Sequence, residues 1–299
     1  MIITEFLNDN KIKYFQNEPL KKHSTFKIGG LADYMVFPSN LDEIVRCVDF
    51  LNLNKIHFIV TGNGSNLLFS DEGFSGVVVN TTACKEIKVE GEKIEALCGQ
   101  SLGSIASSAQ KLSLTGLEFA YGIPGTCGGA VYMNAGAFGG DISSVFDECI
   151  CYDTSENKLV TIDKSGMEFS YRHSVLMDRP TLFVVSATFK LTRGDGEQSL
   201  EIMKTNMKKR KATQPYSQPS AGSVFKRPEG YFAGKLIEDC GLKGFSMGGA
   251  LVSPKHAGFI VNTGNATAID VKNLIEHIQN EVYKKFGVKL ECEIRFIDN

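Results

Sequence analysis

The sequence predicts an α+β protein of more than one domain, on three observations. At 299 residues the chain is long for one domain and suits two, or three small ones. Strand-like runs and helical faces interleave in its first part, whereas the last third carries helices and strands as a separate α+β block. A hydrophobic content of 42% against 22% charged residues describes a soluble globular chain with ample core.

The elements follow in order. Residues 1–14 carry the spacing of a short amphipathic helix, and Ala32–Phe37 reads as a strand after His23-Ser24-Thr25-Phe26-Lys27-Ile28-Gly29-Gly30. From Leu41 to Asn54, apolar residues at 41, 44, 45, 48 and 51 share one helical face. His57–Val60 is a β-rich run ending in Thr61-Gly62-Asn63-Gly64-Ser65-Asn66, and Gly76–Asn80 is a further strand, so this stretch forms a small α/β unit. Residues 85–98 alternate like a hairpin around Gly91-Glu92, and Ser101 is placed to cap a helix through Leu112. Strands are expected at 145–152, 158–162 and 182–191. A helix over Glu197–Ala212 ends in Lys208-Lys209-Arg210-Lys211 and meets Gln214-Pro215-Tyr216-Ser217-Gln218-Pro219-Ser220, by composition the best domain boundary in the chain. The last third predicts a helix near Ala233–Cys240 and strands near 249–253 and 257–262. Thr267 with Asp270 forms a capping box for a helix to Phe286, and Val288–Ile297 is a closing strand.

The chain is organised around the stretch from Tyr121 to Gly140, in which seven residues are glycine. Glycine reaches φ > 0 and lets backbone approach a ligand closely, but it costs chain entropy, so such density needs a reason. Pro124, Tyr132, Met133 and Asn134 are too varied for a flexible linker. The stretch is either a turn inside a packed core or a loop wrapping a flat or phosphorylated cofactor; the second is favoured, because loops on rigid scaffolds carry sites. Upstream, the N–H groups of Gly62-Asn63-Gly64-Ser65-Asn66 can converge on phosphate oxygens. The pattern is not GxGxxG and no helix begins there, which excludes a Rossmann reading. Alone it is an ordinary turn; the second loop gives it weight.

A net charge of −2 supplies no basic field for nucleic acid or an anionic membrane surface. No stretch reaches transmembrane length, since the apolar run from Val175 to Val185 is broken by Asp178, Arg179 and Pro180. Met1–Phe6 has an early acid and no long apolar run, unlike a signal peptide. The eight cysteines, at 47, 84, 98, 127, 149, 151, 240 and 292, form no CxxC and have no histidine at zinc-like spacing. Free thiols in a reducing cytoplasm and no metal site are expected.

Several polar residues carry two readings each. The guanidinium of Arg172 is always charged and binds carboxylates as a fork; it equally suits pairing with a surface acid. Ser223, after Gly222, is a turn residue or a proton donor polarised by Lys226 and Arg227. Glu293 shares a strand face with 291 and 295, opposite 290, 292, 294 and 296, and either faces solvent beside Arg295 or serves a site. The cations at 208–211 complement a helix C-terminus or bind a diphosphate. No Ser-His-Asp arrangement is visible, which counts against a hydrolase.

Six motifs then coincide in order: Ile28-Gly29-Gly30; Gly62 to Asn66; Gly122-Ile123-Pro124-Gly125-Thr126-x-Gly128-Gly129-Ala130; Tyr171-Arg172-x-Ser174; Ala221-Gly222-Ser223-x-Phe225-Lys226; and Leu290-Glu291-x-Glu293-Ile294-Arg295. Together they resemble the UDP-N-acetylenolpyruvoylglucosamine reductase family over nearly the whole chain. The resemblance implies a two-lobed FAD-binding domain of the vanillyl-alcohol-oxidase-like (PCMH) class, lobes 1–80 and 81–196, plus a C-terminal α+β substrate domain, 197–299. It implies a cytoplasmic flavoprotein of peptidoglycan synthesis that uses NADPH, through noncovalent FAD, to reduce an enolpyruvyl UDP-sugar. It assigns Arg172, Ser223 and Glu293 to catalysis, and Lys211, Lys226 and Arg227 to substrate. It assigns Gly62, Asn63, Gly64, Ser65, Asn66, Gly122, Ile123, Pro124, Gly125, Thr126, Gly128, Gly129, Ala130 and Asn134 to the cofactor. The short spacing from Arg172 to Ser223 matches the family's shorter type, which lacks an inserted tyrosine loop. Arg227 stands where the longer type tends to have asparagine, and Cys292 replaces a frequent proline. Two rival readings are a flavin oxidase of the same cofactor class and a non-catalytic nucleotide-binding module.

Overall fold

In the computed structural model, which describes residues 2–298, the first helix is Ile2–Asp9 rather than 1–14, and Met1 lies outside the described residues. The chain turns at Lys11, whose φ is 55, and Ile12 N–H closes back on Leu7 O at 3.0 Å. That turn frees Lys13–Pro19 to become a strand that the helical spacing had masked.

The described chain forms two units, each assembled from separated stretches. One comprises Met1–Gln16, Tyr34–Asn63 and Gly76–Lys208; the other comprises Asn17–Asp33, Gly64–Ser75 and Lys209–Asn299. The division falls inside the helix Gly196–Thr213, before the Pro/Ser/Gln stretch.

The first unit is built on two main sheets, beside two short two-stranded ones. The smaller has the order Lys13–Pro19, Leu31–Phe37, Phe74–Asn80, Phe58–Thr61, and its last pair is parallel, with Thr61 opposite Asn80. The helix Leu41–Leu53 packs Cys47 and Leu51 with Val36, Val77 and Val79; Asn40 caps it by accepting Glu43 N–H at 2.9 Å. The larger sheet is antiparallel, in the order Lys158–Asp163, Phe146–Asp153, Leu182–Lys190, Lys93–Leu97, Ile87–Glu90. Gly91, at φ 59, turns the predicted hairpin, and Ser101 caps Leu102–Lys111 as expected. A shared apolar cluster of Ile44, Val48, Cys84, Cys98, Tyr152 and Val185 joins the two sheets. Each fully buried aliphatic side chain there contributes about 1.5–3 kcal/mol. Asn52 Nδ2 donates to Thr154 O at 2.7 Å across the same seam, and Tyr152 Oη donates to Asp49.

The second unit packs Phe26, Ile28 and Leu68 with Val224, Ile237 and Ile260 around the helix Ala268–Phe286. The predicted Thr267–Asp270 capping box is present, and Gly287 ends that helix at φ 67. Asp71 adds a second cap, accepting Ala268 N–H at 2.8 Å and Ile269 N–H at 3.1 Å. The closing strand is shorter than Val288–Ile297 because this segment changes partners. Near Glu291–Glu293 it pairs with Val224–Lys226, and only Arg295–Ile297 continues as a strand, parallel to Leu67–Phe69. The alternation of faces holds to Ile294, which is buried, and fails at Phe296, which is exposed.

All eight cysteines are free thiols. Burial pushes Cys47 and Cys127 up to about 12, so both are inert packing residues. Among the described residues, no helix is long and apolar enough to cross a membrane, and no group of three or more His, Cys, Asp or Glu could hold a metal ion.

Candidate active site

In the first unit the two glycine-bearing loops dock on each other. Asn80 Nδ2 donates to Gly62 O at 2.9 Å, and Asn63 Nδ2 donates to Pro124 O at 3.1 Å. A Cβ on Gly62 would overlap Thr126 Oγ1, so only glycine lets the loops meet. The stretch expected to be loop throughout contains a short helix, Cys127–Tyr132. Its first N–H groups point inward: Cys127 N–H donates to Gln100 O at 2.8 Å and Gly128 N–H to Cys98 O at 2.9 Å. Thr126 and Ala130 are buried, Gly122, Ile123, Gly125 and Gly128 are half-buried, and Pro124 and Gly129 are exposed. A Cβ on Gly125 would meet nothing nearer than Ile123 Cγ2 at 3.7 Å. The loop therefore presents bare backbone at Gly125 and Gly129 beside the exposed Pro124 ring, a surface on which a flat phosphorylated group can lie. The residues present fit FAD in that respect.

Arg172 stands at the tip of a tight turn. Ser170 and His173 exchange main-chain hydrogen bonds of 3.2 Å, leaving Tyr171 and Arg172 between them. Arg172 has φ 55, a region that side-chain-bearing residues seldom adopt and that recurs at functional sites. Its guanidinium lies 5.2 Å from the Tyr171 ring centroid; Nη2 donates to Gly136 O at 2.9 Å and Nη1 to Asn134 O at 3.5 Å. Asn134 is buried, with φ 45. Its side chain donates to Ser170 O and accepts Ser143 N–H, both at 2.9 Å.

The other assigned residues lie in the second unit. Gly64 has φ 61, and a Cβ there would approach His23 O to 2.6 Å. Ser65 and Asn66 are half-buried. Asn66 ties this turn to the acidic strand: its Nδ2 donates to Glu293 O at 3.0 Å, and its carbonyl accepts Arg295 N–H at 2.9 Å. Ser223 and Glu293 are brought together by backbone pairing. Ser223 bridges Phe259, Phe225 bridges Cys292, and Glu293 N–H donates to Val224 O at 2.7 Å. Lys226 Nζ lies 3.4 Å from Glu291 Oε2. The Arg227 guanidinium lies over the Phe232 ring at 4.0 Å, and Nε donates to Tyr231 O at 3.4 Å. Lys211 Nζ sits 5.7 Å from the Tyr216 ring centroid, and its carbonyl accepts the Lys255 ammonium.

Sequence reading missed the inward use of Asn134 and the contact of Ser174, whose Oγ donates to Tyr132 O at 2.5 Å. Asparagine's tolerance of φ > 0 was the available signal at 134.

Comparison with known proteins matches two stretches of the chain. Residues 214–297 match the family described as UDP-N-acetylenolpyruvoylglucosamine reductase, C-terminal domain, and residues 32–154 match the FAD binding domain. A UDP-N-acetylenolpyruvoylglucosamine reductase of Caldanaerobacter subterraneus is 48% identical over 295 residues, spanning 99% of this chain and 96% of that protein. The crystal structure of the Thermus caldophilus reductase superposes with a TM-score of 0.80 at 31% identity, covering 96% of this chain and 99% of that one. Glucooligosaccharide oxidase of Acremonium strictum shares the fold at a TM-score of 0.50 and 10% identity, over 97% of this chain and 59% of its own.

Proposed function

Because the chain belongs to the UDP-N-acetylenolpyruvoylglucosamine reductase family, we propose that it reduces UDP-N-acetylglucosamine enolpyruvate to UDP-N-acetylmuramate with NADPH. The observation that carries this is 48% identity to such a reductase over 99% of the chain. The product is a peptidoglycan precursor, so the activity serves wall synthesis, cell shape and division. Nucleotide substrates and free thiols favour a cytoplasmic setting. In this reading 1–80 and 81–196 serve as the cofactor lobes and 197–299 as the substrate domain.

Bound FAD would relay hydride from NADPH to the enol ether, a cofactor chemistry the protein orients but does not itself supply. The bare backbone at Gly125 and Gly129, beside the Pro124 ring, would hold it, with Gly62 and Asn63 keeping the paired loop in place. The rest is done by side chains of this chain. Hydride addition leaves negative charge on the carbon that bears the carboxylate. The Arg172 guanidinium holds that carboxylate and stabilises the charge as it develops. The Ser223 hydroxyl delivers the proton to the same carbon and recovers one from solvent. Glu293, held beside Val224 by main-chain pairing, polarises the carboxylate or completes the relay to the serine. Lys211, Lys226 and Arg227 attract the diphosphate.

The test is a pair of anaerobic half-reactions on the purified yellow protein. NADPH is expected to bleach its visible absorbance, and the enolpyruvyl UDP-sugar to restore it. Absorbance that survives NADPH, or stays bleached with that substrate, would refute the assignment.

A further inference from the structure

The Tyr171-Arg172 turn is fastened more heavily than a two-residue turn requires. Beyond its own main-chain pair, four bonds run to residues 132–136, the backbone that leaves the short helix after the Gly122–Ala130 loop, the longest from Arg172 Nη1 to Asn134 O at 3.5 Å. Ser174, with no exposed surface, donates to Tyr132 O at 2.5 Å. Asn134 donates to Ser170 O and Arg172 to Gly136 O, both at 2.9 Å. Asn134 Oδ1 also accepts Ser143 N–H at 2.9 Å, which fixes which way the amide faces. Asn134 and Arg172 both hold positive φ, a conformation that persists where the surroundings over-determine it.

We propose that Ser174 and Asn134 are positioning residues for Arg172. They lock its turn in register with the segment leading from the Gly122–Ala130 loop, so that the plane of the guanidinium fork is set by that loop. Ser174 fixes the exit of the turn and Asn134 its entry. The carbonyls of Asn134 and Gly136 then hold the two Nη atoms. A planar fork aligns with a carboxylate only over a narrow range of angles, so a small shift of the turn degrades the match without removing the charge. The inference rests on the reading of Arg172 as the carboxylate-binding cation.

The experiment compares Ser174→Ala, Asn134→Asp, Ser174→Thr and Arg172→Ala holoenzymes in the two half-reactions. Asn134→Asp tolerates the positive φ and keeps the acceptor for Ser143 but loses the donor to Ser170. In Ser174→Ala, flavin content and bleaching by NADPH are expected to stay within about twofold of wild type, and the rates of Asn134→Asp are read per bound flavin. Restoration by substrate is expected to fall by about ten- to a hundredfold, the scale of an ångström-sized misplacement. Amide hydrogen exchange at 170–174 is expected to rise while the large sheet stays protected. Ser174→Thr keeps a hydroxyl and is expected to recover most of the rate. Placed in the Arg172→Ala background, Ser174→Ala is expected to add less than about twofold, because both remove one function. Equal slowing of both half-reactions, loss of flavin, or full additivity with Arg172→Ala would reduce Ser174 to a structural residue and overturn the proposal. A crippled Arg172→Ala beside an unimpaired Ser174→Ala would overturn the positioning role alone. Normal restoration in Arg172→Ala would overturn the arginine's own role, and the inference with it.

Discussion

Around Arg172 three side chains reinforce a tight main-chain turn; around Ser223 and Glu293 main-chain pairing between strands leads, and the Asn66 side chain adds to it at Glu293 O. The arginine turn depends on Ser174, Asn134 and the guanidinium itself, each bonding to a backbone carbonyl. The serine and the acid sit on extended segments joined by Glu293 N–H to Val224 O and Lys226 N–H to Glu291 O, at 2.7 and 2.8 Å. Main-chain bonds survive a change of side chain, whereas side-chain anchors do not. The two regions therefore differ in what a substitution reports. Near Ser223 a replaced side chain reports chemistry, and near Arg172 it reports chemistry and geometry together.

The largest expected effect tests the first half of that contrast. Ser223→Ala is expected to leave bleaching by NADPH near the wild-type rate, and substrate binding weaker by no more than about 1 kcal/mol. Restoration by substrate is expected to slow about 10²–10⁴-fold, the range for a lost general acid. Stopped-flow absorbance measures both; equal slowing would mean the backbone had moved and the contrast had failed. A pair of glycines sharpens it next. Gly64→Val forces a β-branched residue to φ 61 against His23 O, and a loss of about 1–3 kcal/mol in stability is expected. At Gly125 a Cβ makes only ordinary contacts, with Ile123 Cγ2 at 3.7 Å and Leu102 Cδ1 at 3.8 Å, so in Gly125→Val the melting temperature is expected to hold while flavin content falls. Melting curves beside visible absorbance separate the two, and full flavin in Gly125→Val would remove that loop from the cofactor. Smaller again is Lys211→Ala, expected to raise KM roughly tenfold, near the worth of one charged hydrogen bond, with kcat little changed. An unchanged KM with lowered kcat would contradict it.

The smallest effect probes another second-unit site where a side chain holds the backbone. Asp270 accepts Thr267 N–H and Gly249 N–H, which keep its carboxyl below the usual carboxylate range. A carboxyl depressed on folding adds stability above its unfolded value near 4 and loses it as pH falls through the folded one. Asp270→Asn is expected to cost about 1 kcal/mol at neutral pH and to flatten the acid limb of a stability–pH curve. An acid limb identical to wild type would assign acid sensitivity elsewhere.

Local signals carried most of the elements. The Thr267–Asp270 box, the Ser101 cap and the turn at Gly91 each act within four residues, and each appears where the residues place it. Long-range partners left no such mark. Nothing in Leu67–Phe69 names Arg295–Ile297 as its neighbour, and Val288–Ile297 alternates without revealing that it changes partners midway. The helix Cys127–Tyr132 was hidden because glycine and alanine there suit a loop as well as a turn of helix. At the candidate site the residue types were legible, but the hydrogen bonds of Asn134 and Ser174 were not, since a carbonyl partner looks the same at every position.

The parallel pairing of Leu67–Phe69 with Arg295–Ile297 joins segments more than two hundred residues apart. On the ribosome the first of these emerges long before the second. Until Arg295–Ile297 emerges, one edge of Leu67–Phe69 waits without its neighbour, and the helix cap offered by Asp71 waits for Ala268 and Ile269. The unit that holds Ser223 and Glu293 can close only after residues 295–297 have come free of the exit tunnel.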